Sequence, residues 1–555
     1  MEVQPMPEER ELVRQRASRG ASSMVSAQFI ARLLGIFLVV PMQNLIGDQG
    51  LGLYQLVYPL YTIMLTLSTA GFPLALSKTI SNLNARGQYR EASQTYAIVG
   101  RSLLGFGVVA FVLMWFGGPY LLSWSVSSKA LLAETVPAIH ALAPALLILP
   151  LMSAQRGYLQ GNLRLEPSAA SQVVEQIVRV GVVLAGLLIA VHLGASRASE
   201  AAIATFGGTA GAIGGFILLL AAVRKTRRLM VRKRRYLKTK SLHAGTVLRQ
   251  LFIYALPVAL GTLVLPLSQN IDNATVIRQL VAGGMSIGVA TGQYGIYAGE
   301  ALRLMQLPLS FATAIGASIM PAITEARTRG QHQEGRIRFL GALRMTAFIT
   351  FPVAVTLAAL ATPLDIALFE HSAGATVFAI AALISIFSAL ELVTTFILQG
   401  YDRFYQPVVH MAIGLAIKLV GNLMLVPILG IEGAAIASVV GYAVSSWLNV
   451  AALGKATGQP VRIGSVIWRP AVAMLCTGVW MVLLERLFVP LEQALNAPNS
   501  RLLALVFLLV GIGIGGPLYL LAALWVRAIQ PSEISRIPVV GRLIARLTAR
   551  LPHMR

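Results

Sequence analysis

A chain of 555 residues that is 56% hydrophobic and 12% charged, with a mean hydropathy of +0.72, has the lipid bilayer as its solvent rather than a water-soluble core. The formal net charge of +23 is clustered, with ten Lys/Arg between Arg224 and Lys240; this fits basic loops against anionic lipid and excludes nucleic-acid binding, for which no soluble domain is present. A single cysteine, Cys476, excludes a disulfide framework and a thiolate metal cluster.

Residues 1–20 read as a polar cytoplasmic tail, and the apolar run that follows is too long for a signal-peptide core, so it is read as a retained first span. Windows of about twenty apolar residues predict helices over 22–46, 53–79, 95–117, 132–155, 168–192 and 201–223. After the basic stretch they resume over 248–276, 293–322, 339–361, 373–399, 405–427, 431–453, 466–489 and 501–526, giving fourteen transmembrane helices. With the N-terminus inside, the inner loops carry Lys78, Arg86, Arg90, Arg156, Arg164, the basic linker, Arg327, Arg329, Arg336, Arg338, Arg403, Lys455 and Arg462. The opposite loops carry only Lys129, Arg197 and Arg501, an alternation that the positive-inside rule requires and that puts both termini in the cytoplasm. Past Gln530, Arg542, Arg546 and Arg550 recur opposite Ile544, Leu547 and Leu551, the pattern of an amphipathic tail lying on the inner leaflet.

The chain echoes itself. RGYLQGNLRLEP (156–167) matches TFILQGYDRFYQP (395–407), and at the same offset Arg179 meets Lys418; a weaker echo pairs Gly52-Leu53-Tyr54 with Gly295-Ile296-Tyr297. Both copies begin on the same side of the membrane, so the repeats are parallel. The predicted fold is therefore an all-α polytopic membrane protein with two pseudo-symmetric six-helix lobes plus two C-terminal helices. Its segments are an N-lobe over 21–223, a basic linker over 224–244, a C-lobe over 245–454, two further helices within 465–527, and the interfacial tail over 530–555.

No Walker A, H-E-x-x-H, G-x-S-x-G or Cys/His metal spacing occurs, and the four aspartates (Asp48, Asp272, Asp365, Asp402) are too scattered to hold a metal, so neither catalysis nor a cofactor is expected. His140 and His410, in apolar helices, read as packed core histidines in preference to proton relays. What remains is charge inside helices. Arg32 and Arg303 stand in apolar segments where a charge costs about 2.5–3.5 kcal/mol on insertion scales, which points to a polar or watery cavity. Glu300 shares a helix face with Arg303, Glu175 and Arg179 are spaced as a structural ion pair, Lys418 and Asn422 occupy the matching helix of the other lobe, and Asp272 sits with Gln269, Asn270 and Asn273 in a polar girdle near the end of its helix, read either as part of the substrate site or as an outer edge. A guanidinium matches phosphate oxygens bidentately, so these cations suggest a phosphate or pyrophosphate headgroup whose lipid tail stays in the bilayer.

RLMQLP…TAIGASIMP (303–321), ARLLG (31–35) and RGYLQG (156–161) resemble the MOP exporter superfamily, and within it the lipid II flippases of the branch that includes stage V sporulation protein B and polysaccharide transporters. The resemblance implies a monomeric fourteen-helix protein of the bacterial plasma membrane with a cationic cavity, which moves a polyprenyl-pyrophosphate-linked cell-wall precursor to the outer leaflet. It assigns Arg32 and Arg303 to that cavity. The acidic neighbours of the family's eighth-helix arginine are replaced by Leu302 and Gln306, with Glu300 as the substitute. The other arginines of the family's first and second helices fall near Leu38 and within 65–69, where none is present. A family sodium site finds Asp272 on the seventh helix but Lys418 and Asn422 on the eleventh, which argues against it. A cation-coupled multidrug exporter would place carboxylates where this chain has arginines, and a membrane glycosyltransferase would need a large outer loop or clustered aspartates.

Overall fold

The computed structural model describes residues 23–24, 26–27, 30–69, 71–124, 128–233, 244–496 and 499–528. The N-terminal tail, the second half of the basic linker and the amphipathic tail expected over 530–555 lie outside the described residues. Every element among the described residues is helical. Twelve runs are long and apolar enough to cross a membrane. One of them, Ile30–Ala85, has 56 residues and would be roughly 84 Å long if straight, far beyond a hydrocarbon core of about 30 Å. Two glycines break it. Gly47 adopts φ 66°, ψ 178° inside the Val39–Thr69 helix (α1), and Gly71 adopts φ 77° ahead of Phe72–Ala85 (α2). A side chain at Gly71 would also run into the backbone of Ala255, so only glycine meets both demands there.

The remaining helices of the first part are Tyr89–Val112 (α3), Lys129–Leu142 (α4), Ala145–Gly161 (α5), Leu165–His192 (α6), Arg197–Lys233 (α7), Ala244–Thr262 (α8), Val264–Ala282 (α9) and Ile287–Tyr294 (α10). The stretch predicted as one helix over 248–276 divides at Leu263 into α8 and α9, which together carry Arg249, Asp272 and Arg278 and are not among the twelve apolar runs. The stretch predicted over 293–322 is α10, a π-helical turn Gly295–Ala301, the short Leu302–Leu304 helix and Gln306–Thr328 (α11). Next come His332–Ala359 (α12), Ala361–Phe369 (α13), Ala375–Gly400 (α14), Tyr405–Leu429 (α15), Ile431–Thr457 (α16), Ile463–Ala494 (α17) and Arg501–Trp525 (α18).

The chain forms two compact units, Met1–Glu300 and Ala301–Arg555. In the first, α7 is a seam of small residues. A Cβ at Gly211 would meet the Glu175 carbonyl oxygen at 2.5 Å and the Arg179 Cβ at 3.1 Å, so α6 lies directly against the α7 backbone. In the second, α11, α12, α14 and α16 enclose Ala312, Ile323, Phe339, Leu343, Val393, Ile397 and Leu453, while α17 and α18 pack on α12 and α13 through Phe348, Tyr519, Leu360, Phe488 and Phe507. The outward-facing side chains are apolar: Ile428 is 79% exposed and Trp525 81%, whereas Asp272, Glu300 and Asn422 are at most 1% exposed. That inversion of the usual soluble pattern is what lipid as the surrounding phase demands.

The sequence echo is also an echo of conformation. α5 ends with Leu163 at φ 58°, where Leu163 N–H donates to the Gln160 carbonyl (2.9 Å) and Arg164 N–H to the Leu159 carbonyl (2.9 Å). α14 ends with Asp402 at φ 60°, with the matching bonds from Asp402 to Gln399 (3.0 Å) and Arg403 to Leu398 (2.9 Å). Gly161 packs on Ile80 of α2, and Gly400 on Ile323 of α11. A second pair of turns has the same correspondence: Arg86-Gly87-Gln88 and Arg329-Gly330-Gln331 both close with glycine at φ 73° and 71°, and the glutamine N–H donates at 2.8 Å in each. Both are left-handed helix ends that favour glycine.

The two copies of the echo meet at a crossing in the first unit. Gly52 of α1 and Gly295 face each other. A Cβ on either would overlap a carbonyl oxygen of the opposite strand of backbone, Thr291 for Gly52 and Asp48 for Gly295. Gln55 Nε2 donates to the Ala298 carbonyl (2.9 Å) across the same crossing, and Gln55 and Ala298 are 243 positions apart, the offset that also separates Gly52 from Gly295. Equivalent positions of the repeat therefore touch.

Candidate functional site

Arg32 is exposed near the start of the Ile30–Ala85 run, one turn before Gly35, whose Cβ position lies 3.5 Å from Gln176 Oε1 of α6. Arg303 is half-buried and follows directly on the π turn that carries Glu300; Gln306, also half-buried, opens α11. A π turn widens the helix by a residue and is a common device for re-aiming the side chains that follow. Glu300 is fully buried.

Of the two positions that the sequence leaves open for Asp272, the substrate site or an outer helix edge, its burial midway along α9 does not favour the edge. Asp272 is 1% exposed and accepts a hydrogen bond from Tyr297 Oη (3.3 Å), while its neighbour Asn273 donates through Nδ2 to the Leu56 carbonyl (2.7 Å). Polar residues on α9 thus fasten it to α1 and to the Gly295–Ala301 turn, because a lipid-facing polar face would be costly.

The spacing of Glu175 and Arg179 suggests a pair within α6, but each turns to a different helix. Glu175 Oε2 accepts from Arg156 Nη2 of α5 at 2.8 Å, and Arg156 Nε donates to Ser171 Oγ (3.2 Å). Arg179 instead donates to Tyr54 Oη (2.9 Å) and Tyr58 Oη (3.3 Å) of α1, with its guanidinium 5.3 Å from the Tyr58 ring centroid. The reason is geometric. Gly207, Gly211 and Gly215 bring α7 against one side of α6, and the side chains of Glu175 and Arg179 are directed to the neighbours that remain. In a double-mutant cycle on Arg156→Met and Glu175→Gln, followed by thermal unfolding in detergent, we expect a coupling of about 1–2 kcal/mol, below that of a fully buried pair because both side chains are about one-fifth exposed.

Lys418 is 3% exposed on α15, and its Cβ lies 3.3 Å from where Gly441 would carry one. Gly441 also approaches the Gly414 carbonyl, as Gly211 approaches that of Glu175. Arg179 and Lys418 therefore occupy matching places, each one turn beyond a carbonyl held against a glycine of the next helix. Of the residues singled out by the sequence, Arg32, Glu175, Arg179, Asp272 and Glu300 belong to the first unit, and Arg303, Gln306 and Lys418 to the second.

His140 stacks on Trp115 at 4.2 Å between ring centroids, with Nε2 3.2 Å from the Trp115 carbonyl, as a packed histidine does. His410 differs: Nδ1 lies 2.7 Å from Asn449 Oδ1. Asn449 leads on to Glu391, a buried acid in the otherwise uncharged α14. A lone charge in an apolar helix, the same signal that marks Arg32, identifies Glu391 in the sequence.

Comparison with known proteins agrees with this architecture. Residues 17–327, more than half of the chain, match the family described as polysaccharide biosynthesis protein. The chain belongs to this family. It is similar to the lipid II flippase MurJ of Bacillus subtilis (27% identity, covering 90% of this chain and 94% of the relative) and to stage V sporulation protein B of the same organism (26%, covering 96% and 100%). Among solved structures it resembles an inward-facing multidrug resistance MATE family transporter of the MOP superfamily, with a TM-score of 0.62 at 14% identity over 79% of this chain and 95% of that one. It also resembles lipid II flippase MurJ in an inward closed conformation, with a TM-score of 0.57 at 15% identity over 90% and 97%. At these identities the two structures share the fold.

Proposed function

We propose that this transporter moves a polyprenyl-pyrophosphate-linked cell-wall precursor, lipid II in the first instance, from the inner to the outer leaflet by alternating access. We further propose fourteen membrane crossings in two six-helix repeats plus α17 and α18, with both termini cytoplasmic and the protein acting as a monomer. The family match and the similarity to a lipid II flippase support the broad class, a transporter of lipid-linked polysaccharide precursors. The full-length similarity to a lipid II flippase carries the finer reading. Arg32 and Arg303 support it, as cations that remain in apolar segments although each is costly there. Arg32, Arg303 and Gln306 are assigned the headgroup. Asp272, Glu175, Arg179 and Lys418 are assigned the helix crossings in which they are packed, with Glu300 at the base of the π turn.

Depletion of the protein in its host tests the substrate. Lipid II accumulating on the inner leaflet supports the reading; an unchanged lipid II pool with another lipid-linked glycan accumulating replaces lipid II by that glycan.

A further inference from the structure

The second unit contains an acid that precursor binding does not use. Glu391 is the single charge of the 26-residue α14, is 7% exposed and forms no ion pair among the described residues. Its Oε1 accepts a hydrogen bond from Thr395 Oγ1 at 2.9 Å. Thr395 Oγ1 in turn accepts from Asn449 Nδ2 of α16 (3.2 Å), which also reaches Thr394 Oγ1 (3.1 Å) and the Glu391 carbonyl (3.3 Å). Because Asn449 Nδ2 is the donor, its Oδ1 is the acceptor for His410 Nδ1–H of α15, at 2.7 Å. His410, Asn449, Thr395 and Glu391 thus form one directed chain across three helices, every donor pointing toward the carboxylate.

The chain runs inward from the end of the bundle that carries Arg403. Along their helices, His410 is about 8 Å from the Tyr405 end of α15, Asn449 about 12 Å from the Thr457 end of α16, and Glu391 about 14 Å from the Gly400 end of α14. Among the described residues the other neighbours of α14 place no cation in an ion pair with Glu391, although Arg344 of α12 stands at a comparable depth. α11 and α12 present Ala312, Ile323, Phe339 and Leu343, with Arg344 beside Leu343; α13 meets the far end of α14, where Asp365 accepts from Gly374 N–H. Lys418 stands about 12 Å beyond His410 along α15, and Tyr442 about 11 Å from Asn449 along α16.

A buried carboxylate without a cation is costly, and taking up one proton removes that cost. We propose that Glu391 is a proton-binding site of the transporter, loaded and emptied past His410 from the basic-loop side, and that its charge state sets how α14, α15 and α16 hold one another. The step is Glu391–COO⁻ plus H⁺ giving Glu391–COOH. The new O–H donates to Thr395 Oγ1, and Thr395 then gives up its own bond to Oε1. A simple polar fastening of three helices would need no such exchange. The proposal rests on the chain being a transporter and not on the identity of its substrate.

Infrared titration of the purified full chain in lipid nanodiscs tests it without any substrate, so its failure leaves the precursor reading untouched. We expect a protonated-carboxyl carbonyl band that grows as pH falls and is lost in Glu391→Gln, whose amide keeps the bond from Thr395. Thr395→Val removes a donor to the charged form, so it is expected to move the midpoint of that band to higher pH, a readout that survives even if Glu391→Gln is poorly folded. A wild-type spectrum with no titrating carboxyl band, or a band unchanged in both variants, overturns the proposal.

Discussion

Arg303→Ala and Arg32→Ala are each expected to lower transport by about 10- to 100-fold while leaving insertion and amount in the membrane at the wild-type level. A hydrogen bond to a charged group contributes about 1.5–3 kcal/mol, and a guanidinium lost from a pyrophosphate removes at least one such bond. The membrane anchoring is unaffected, because neither residue supplies apolar surface that holds its helix in lipid. Removing the charge even relieves the insertion cost. Arg303→Lys separates charge from shape: it keeps the cation and loses the planar fork, so an intermediate loss is expected. The measurement is complementation of a strain depleted of its lipid II flippase, with the level of each variant in the membrane followed in parallel. Full growth supported by both alanine variants would refute the assignment of Arg32 and Arg303 to the headgroup.

The second large effect is expected at the glycine crossing. Gly52→Leu and Gly295→Leu each place a branched side chain where even a Cβ overlaps a backbone carbonyl oxygen, Thr291 in one case and Asp48 in the other. The colliding atom is backbone, so no rotamer change relieves it, and α1 must separate from the 291–295 backbone. The Gln55 to Ala298 and Asn273 to Leu56 bonds would be strained with it. Overpacking of this kind costs about 1–3 kcal/mol, occasionally more. Both variants are expected to lose most of the folded protein, measured as monodisperse material after detergent extraction and as a fall in unfolding temperature. Gly513→Leu serves as the control: its Cβ would meet open space, so wild-type behaviour is expected. Wild-type yield and stability for Gly52→Leu would show that the crossing is not tight.

Hydropathy alone places most of the helices, because a bilayer demands long apolar segments and little else in this chain meets that demand. The break at Gly47 is legible, because the predicted helices over 22–46 and 53–79 leave it beside Asp48 and Gln49; the break at Gly71 is not, because Gly71 lies inside the apolar 53–79 stretch and its kink comes from positive φ and the proximity of Ala255. The turn after Gly161 could be read because its copy after Gly400 repeats the residues as well as the backbone. The turns at Gly87 and Gly330 share only Arg-Gly-Gln, which is short enough to be lost in a basic loop. Pairing partners were the least legible feature. Spacing along α6 favours Glu175 with Arg179, whereas the glycine seam of α7 decides which neighbour each one meets. The contact of Asp272 is illegible for a similar reason: its partner Tyr297 lies on the Gly295–Ala301 turn, and no local pattern announces it.

The most direct test of the central claim uses the purified chain in liposomes that hold labelled lipid II, with the fraction of headgroup exposed on the receiving leaflet followed over time. Protein-dependent transfer that is retained in Lys455→Ala, an inner-loop substitution, and lost in Arg303→Ala is the predicted result. Transfer no faster than in protein-free liposomes, in the presence of a membrane potential or a proton gradient as well as in their absence, would contradict the account.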